Sequence, residues 1–310
     1  MRILFTGASS FTGYWFVRAL AEAGHEVVAT FQRGAGEYTG IRGERVAELH
    51  EHTERVFECS FGQKRFLEVI GSIGSLDLLC HHAADVSNYK SADFDVLGAT
   101  ANNTANLPTV LAAIRRRGCE VVCLTGSVFE QDEGAGSEGL PAFSPYGLSK
   151  GITAQIVRYH SGTAGLRLGK FVIPNPFGIF EEPRFTGYLV RTWYKGENAA
   201  VHTPAYVRDN IHVSLLARAY SAYASELCQA GARQVFRPSG YPGTQGGFAH
   251  LFAENMRDRL GLPCKLDLHA QSEFGEPRVR INTDVLDHQA LAWNERLAWD
   301  ELAEYYRSLQ

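Results

Sequence analysis

The sequence predicts an α/β protein: a doubly wound parallel sheet with a smaller C-terminal mixed α/β lobe. Three observations carry this. Up to Ile173, short apolar runs alternate with helical patterns, the mark of right-handed strand–helix–strand crossovers. The first run, Arg2–Thr6, passes straight into a glycine-bearing turn and then a helical pattern. After Ile173 the alternation loosens around Pro174, Pro176, Gly178 and Pro183, as at a boundary. A length of 310 residues suits about two domains at roughly 100–200 residues each. The expected division is 1–173 for the sheet domain, with returning segments around 204–238, and 174–310 mainly for the second lobe.

In chain order, Arg2–Thr6 reads as the first strand. Phe11–Ala23 reads as a helix with Phe16, Val17 and Leu20 on one face. Glu26–Phe31 is the second strand, entered through Gly24 and His25. Arg55–Glu58, Leu76–Cys80, Val121–Thr125 and Leu166–Ile173 supply the third to sixth. Helical patterns lie between them at Gln63–Ile70, Asp95–Arg117 and Pro145–Ser161. Pro108 sits inside the longest of these; lacking an N–H, it predicts a kink, a break or a helix start. Beyond, helices are expected around Thr186–Tyr194, Ile211–Leu227, Phe248–Leu260 and Trp299–Leu309. A strand is expected at Arg233–Phe236 and a loop over Ser239–Gly247.

Composition narrows the function classes. The chain is 45% hydrophobic and 21% charged, with 30 Lys and Arg against 34 Asp and Glu, a net −4. That balance argues against a nucleic-acid-binding surface. The longest uncharged stretch, Val96–Ile114, carries Asn102, Asn103, Asn106, Thr100, Thr104 and Thr109, too polar for a membrane span. The apolar run Ile3–Phe5 meets Gly7 at once, unlike a signal peptide. Six cysteines without a CxxC pair read as buried reduced thiols, Cys119 and Cys123 on one face of a strand. His81 and His82 are adjacent, so on a strand they face opposite ways and cannot alone make a metal site. His212 reads as a structural group at a helix start, and Glu181-Glu182 as a solvated loop pair. Trp193, Trp293 and Trp299 read as packing anchors. The expectation is a cytoplasmic homodimer with no metal, no nucleic-acid partner and no membrane partner.

The turn Thr6-Gly7-Ala8-Ser9-Ser10-Phe11-Thr12-Gly13 is the first chemical signal. Glycine at the strand end allows a tight turn, and a small residue lets backbone approach a phosphate. The last glycine allows close helix–strand packing. The helix start offers N–H groups and partial positive charge to a pyrophosphate. Gly7, Ser9, Ser10, Phe11, Thr12 and Gly13 are therefore candidate dinucleotide contacts, with Ser10 standing where the usual middle glycine would be. The second strand runs into Gln32-Arg33, and no acid follows before Glu37. An acid would accept from NAD ribose hydroxyls, whereas Arg33 can pair with the 2′-phosphate of NADP. NADP is favoured, with NAD possible; a solvated loop charge is the plain alternative for Arg33.

Tyr146-Gly147-Leu148-Ser149-Lys150 follows Ser144-Pro145, a helix start that puts Tyr146 and Lys150 on one face. A nearby lysine favours phenolate and makes tyrosine a usable acid–base group; it can also hold a ribose hydroxyl. The chain has six lysines, so this spacing is not commonplace here. At the end of the fifth strand, Thr125 or Ser127 can donate to the same substrate oxygen, since ligands meet parallel strands at their carboxyl ends.

Together these residues resemble the extended short-chain dehydrogenase/reductase family, the NAD(P)-dependent epimerases and dehydratases of nucleotide sugars, over nearly the whole chain. The resemblance rests on the Gly loop, His81-His82-Ala83-Ala84, Asn102 or Asn103, and Thr125 three residues before Val128-Phe129. It rests also on Tyr146 with Lys150, on Asn175-Pro176-Phe177-Gly178, and on Arg208-Asp209-Asn210-Ile211-His212-Val213. It implies a Rossmann fold with a substrate lobe, catalytic Thr125, Tyr146 and Lys150, and a cofactor edge that includes Ser60, Phe61, Ala83, Ala84, Lys150 and Pro174. It implies substrate contacts at Ser127, Asn175, Arg208 and Arg280, with Arg278 beside them, the asparagine and arginines holding a nucleotide sugar's diphosphate. Cys59-Ser60-Phe61 stands where relatives carry an Asp. Gly126-Ser127 stands where 4,6-dehydratases have an Asp-Glu pair for water elimination, which neither residue can replace. The implied activity is NADP-dependent reduction of a 4-keto nucleotide sugar, with epimerisation the alternative. A cofactor-binding sensor without chemistry belongs with loss of the Tyr or Lys, and both are present.

Overall fold

The computed structural model describes residues 1–136 and 140–310. In chain order the elements are β1 (Arg2–Thr6), α1 (Phe11–Glu22), β2 (Glu26–Thr30), α2 (Gly40–Glu48), β3 (Glu54–Val56), α3 (Lys64–Ser72), β4 (Leu78–His81), α4 (Val96–Asn103), α5 (Leu107–Arg115), β5 (Val121–Ser127), α6 (Pro145–Thr163) and β6 (Arg167–Ile173). They continue as β7 (Asn175–Phe177), α7 (Phe185–Tyr194), β8 (Ala199–Val201), β9 (Val207–His212), α8 (Val213–Leu227), β10 (Val235–Phe236), β11 (Pro238–Ser239), β12 (Tyr241–Thr244), α9 (Gln245–Leu260), β13 (Leu266–Leu268), β14 (Val279–Arg280), β15 (Asp284–Val285) and α10 (Glu295–Ser308). They form two compact units. The first comprises Met1–Glu133, Pro141–Ile173 and Ala217–Arg237. The second comprises Gly134–Leu140, Pro174–Leu216 and Pro238–Gln310.

The first unit is built on a seven-stranded sheet in the order β10-β6-β5-β4-β1-β2-β3. Every pairing is parallel, so the strands must be apolar on both faces. On one face Leu4, Val28, Leu79, Val122 and Leu124 pack with Phe66, Ile70, Val110, Leu111, Ile114 and Val157. On the other, Phe5 and Phe171 meet Phe16 and Tyr220, whose rings stack at 4.0 Å. This is the doubly wound sheet expected. The Asp95–Arg117 pattern is two helices. Asn106 takes φ 48, and α5 starts beyond it with Pro108 in its first turn, where the missing N–H costs nothing. The helix Gly40–Glu48 was not foreseen. Cys119 precedes β5, so the strand-face argument does not apply to it; all six thiols are free, with Cys228 half-buried and the others buried.

In the second unit β9 pairs with β12 antiparallel and with β14 and β7 parallel. Its core gathers Phe177, Trp193, Phe248, Phe252, Trp299, Leu302 and Tyr306. Three expectations are corrected. Ile211 and His212 end a strand and do not begin a helix. Ser239–Gly247 holds strand β12 and the first turn of α9, with Thr244 as the N-cap. A Gly- and Pro-rich run reads as loop, yet among the described residues β12 pairs with β9 alone, and an edge strand tolerates proline. Glu181 is not a solvated acid: its carboxylate accepts from Thr186 Oγ1 at 2.8 Å, and burial pushes its pKa up to about 7.

Candidate active site

The loop after β1 is shaped by contacts that exclude side chains. Gly7 has φ +83, and a Cβ there would come within 2.8 Å of the Ala83 backbone; one on Gly13 would lie 2.2 Å from Gly7 O. Ser10, at the middle-glycine place, is the N-cap of α1: Oγ accepts from Gly13 N at 3.1 Å and donates to Gly7 O at 3.0 Å. The first turn of α1 thus begins at Phe11 and Thr12 with backbone N–H groups outside the helical ladder. Thr6 Oγ1 accepts from the N–H groups of His82 and Ala83, at 3.1 and 3.0 Å. This holds the β4 end, with Ala83 and Ala84, beside the loop. His81 lies 3.1 Å from Thr6 Oγ1 and 2.9 Å from the Asn103 carbonyl. Burial lowers its pKa to about 4.

Asn103 is the buried member of its pair. It accepts from Asp85 N and donates to Thr153 Oγ1, whereas Asn102 is exposed and donates to Asp85. Phe61 turns its ring inward onto His81, centroids 4.0 Å apart, and Ser60 is half-buried beside it. Arg33 is exposed just after β2; its N–H donates to Tyr38 Oη and its carbonyl accepts from Glu58 N.

The candidate acid–base pair sits on α6. Ser144 caps it, its Oγ accepting from Gly147 N, and Pro145 occupies the first turn. Tyr146 and Lys150 follow one turn apart. The rings of Tyr89 and Phe94 meet Tyr146 edge-on at 5.5 and 6.0 Å. Lys150 is buried, and Nζ donates to the Thr125 carbonyl at 2.5 Å. An ammonium has three donors, so the bond to Thr125 leaves two. Burial lowers the Lys150 pKa to about 8, opposed by Glu130 and assisted by Lys170. Thr125 Oγ1 lies 3.0 Å from His82 Nδ1. Ser127 Oγ accepts from Phe129 N, and Ser127 N donates to Glu130 Oε1.

Three participants in this site escaped the sequence reading. Arg45, on the unforeseen α2, is fully buried with Nη1 on Ser9 O at 3.3 Å and its guanidinium 5.8 Å from the Phe11 ring centroid. His82 was read as one of an adjacent pair and as part of His81-His82-Ala83-Ala84, with no role of its own. Lys170 is buried and bonded to Glu130 and Glu133 at 2.5 and 2.7 Å, with Arg237 on Glu133. Its side chain occupies the space beside Gly126, where a Cβ would meet Lys170 Cε at 2.5 Å. No motif gave these residues a role; the signals were a lone lysine in a strand and a second histidine beside the alanines of His81-His82-Ala83-Ala84.

In the second unit, Pro174 is buried, and Asn175 opens β7 with its Nδ2 buried and without a hydrogen-bond partner among the described residues. Arg208 and Arg280 are register partners on β9 and β14, which puts two guanidinium-bearing residues side by side. Arg208 Nη2 pairs with Glu276 at 2.6 Å, and Nη1 donates to the Val207, Pro277 and Arg278 carbonyls. Arg278 itself is exposed and stacks on Phe274. Among the described residues, no group of three His, Cys, Asp or Glu is placed to hold a metal ion, and no helix is long and apolar enough to cross a membrane.

A model of the NAD dependent epimerase/dehydratase family matches residues 3–236. Comparison with curated proteins finds no match. Among solved structures, the chain resembles a UDP-glucose 4-epimerase from Thermotoga maritima with UDP-glucose: 20% identity, 100% of this chain and 99% of that one, TM-score 0.73. It resembles a UDP-glucuronic acid 4-epimerase from Bacillus cereus with UDP-glucuronic acid and NAD at 15% identity, 100% of both chains and a TM-score of 0.73. A dTDP-glucose 4,6-dehydratase from Streptomyces venezuelae with NAD is 19% identical over 99% of this chain and 97% of that one, TM-score 0.70. At such identities the likeness is one of fold.

Proposed function

The chain belongs to the NAD-dependent epimerase/dehydratase family of extended short-chain dehydrogenase/reductase enzymes, and on that footing we propose that it is an NADP-dependent oxidoreductase acting on a nucleotide-activated sugar, most simply as a reductase of a 4-keto group. One observation carries the reading. The Lys150 ammonium bonds the carbonyl of Thr125, so the Tyr146–Lys150 face of α6 is tied to the strand end that bears the catalytic threonine. The cofactor fits the loop after β1: Gly7 and Gly13 leave a turn with no room for a Cβ, at the start of a helix whose free N–H groups suit a pyrophosphate. When bound, the nicotinamide supplies the hydride. Tyr146 then gives the proton to the ketone oxygen, and Thr125 polarises that oxygen by donating to it. Lys150 favours the tyrosinate that remains, and its spare donors suit a ribose hydroxyl.

Arg33 and the lack of an acid at the end of β2 favour NADP over NAD. Gly126 and Ser127 offer no acid–base pair, so dehydration is not the reaction. Epimerisation is the second reading, favoured by the 4-epimerases among the similar folds. The two separate cleanly. Incubation with NADPH and a nucleoside-diphospho-4-keto-sugar should consume one NADPH per sugar; interconversion of two epimers with no net NADPH consumption would replace reductase by epimerase. Failure of every nucleotide sugar to react would remove both.

The diphosphate partners are Asn175, Arg208 and Arg280. The unpartnered Asn175 amide and the adjacent arginines support this, with Glu276 the group a phosphate would displace from Arg208. We also assign a homodimer formed through α4 and α6. Leu97 is 78% exposed, and Leu148 and Tyr159 are 40% and 70% exposed, the last two three turns apart on one face. Six free thiols suit a reducing, cytoplasmic setting.

A further inference from the structure

His82 is buried, at 9% exposure, between Phe5 and Phe16, whose ring centroids lie 5.5 and 5.3 Å from its own. An imidazole so enclosed is costly unless both nitrogens are bonded, and both are. Nδ1 faces Thr125 Oγ1 at 3.0 Å. Nε2 faces two hydroxyls, Ser10 Oγ at 3.0 Å and Thr12 Oγ1 at 3.2 Å. One ring therefore links the first turn of α1 to the end of β5. Burial, with Lys150 and His81 nearby, holds its pKa down at about 3, so it is neutral and has a single N–H to give.

The nitrogen that carries this proton decides what Thr125 can do. With the proton on Nε2, Thr125 spends its own proton on Nδ1 and faces the substrate only as an acceptor. With the proton on Nδ1, Thr125 accepts from the ring and its hydroxyl proton is left for the substrate. A ketone oxygen only accepts, so the second arrangement alone lets Thr125 stabilise it. Ser10 Oγ gives its proton to Gly7 O, but Thr12 Oγ1 carries a proton that Nε2 can accept.

We propose that His82 is the positioning residue of the catalytic threonine: its Nδ1–H donates to Thr125 Oγ1, while the Thr12 hydroxyl at the start of α1 donates to Nε2 and holds the ring in that tautomer. The inference rests on the reductive reading of Tyr146 and Thr125, but its first test does not need a substrate. Nitrogen NMR of the full chain with labelled histidine and bound NADPH should show a neutral His82 with Nδ1 protonated. Thr125→Val should move the Nδ1 signal and leave Nε2 nearly unchanged. A charged ring or the opposite tautomer overturns the inference.

Kinetics supplies the second test. His82→Asn can put an amide N–H where Nδ1 stood and should keep kcat within about 3-fold of the parent. His82→Gln reaches toward Ser10 and Thr12 instead. It should lower kcat by ~10–100-fold while KM for the nucleotide sugar and Kd for NADPH stay within about 2-fold. In a Thr125→Val background the Gln substitution should cost nothing more, because the two residues act as one unit. Equal losses in the Asn and Gln variants with weakened NADPH binding would make His82 a support for the loop and overturn the positioning role. If no nucleotide sugar reacts with the parent protein, the functional reading falls, and the NMR result still decides this one.

Discussion

Tyr146 is held by ring contacts to Tyr89 and Phe94, so Tyr146→Phe keeps its packing and removes one hydroxyl. General acid–base help is worth ~10²–10⁴ in rate. A loss of that size is expected in kcat, with NADPH binding intact by titration; near-normal turnover would remove Tyr146 from the mechanism. Arg33 tests the cofactor. Arg33→Ala should weaken NADPH by about 1.5–3 kcal/mol, the worth of a hydrogen bond to a charged group, and barely touch NADH, which lacks the 2′-phosphate. Equal losses for both cofactors would return Arg33 to the status of a solvated charge. The candidate acid–base residues could be picked out in the sequence because the chemistry proposed for them demands fixed residue types at fixed spacing: a phenol and an amine one turn apart, a hydroxyl at a strand end. Arg45, His82 and Lys170 could not, because each takes its meaning from a distant partner. Lys170 finds Glu130 and Glu133 about forty residues back along the chain, a relation no local pattern records.

At the scale of elements, α6 is the part whose seating matters most. A Cβ on Gly147 would come within 2.1 Å of the Phe129 carbonyl oxygen. This is backbone that already accepts from Phe143 N at 2.8 Å and cannot step aside cheaply. Gly147→Ala should therefore push the first turn of α6 outward, costing about 1–3 kcal/mol of stability as overpacking does. Because Tyr146 precedes it, kcat should fall more than the stability loss explains. Denaturant unfolding and kcat measured on the same sample check this, and an unchanged midpoint would show that the helix has room. The sheet and its helices were readable from alternation because parallel strands buried on both faces are nearly continuous apolar runs. Elements were misread where composition and context conflict. Thr104–Asn106 splits the long pattern because Asn106 adopts the left-handed conformation just ahead of a proline. The edge strand Tyr241–Thr244 hides in a Gly- and Pro-rich run. His212 ends a strand that abuts a helix with no turn residue between them.

For the molecule as a whole, the net charge is −4, so a dianionic substrate meets an unfavourable mean field and needs local cations to hold it. On the proposed reading Arg208 and Arg280, neighbours on paired strands, supply them, since a guanidinium can give two parallel N–H bonds to one phosphate. Binding energy gained at a substrate group remote from the reacting carbon can be spent on orienting that carbon. It follows that a nucleoside diphosphate alone should compete with the sugar substrate. Arg208→Ala should raise KM for the nucleotide sugar well above any change in KM for NADPH, and the free keto-sugar should be a far poorer substrate than its nucleotide form. Glu276 sharpens the test, because its carboxylate holds Arg208 Nη2 and must yield to a phosphate. Glu276→Gln should tighten the nucleoside diphosphate where Arg208→Ala loosens it. Steady-state kinetics in which a free sugar turns over as fast as its nucleotide form would leave the family and its acid–base face standing and remove the nucleotide from the substrate.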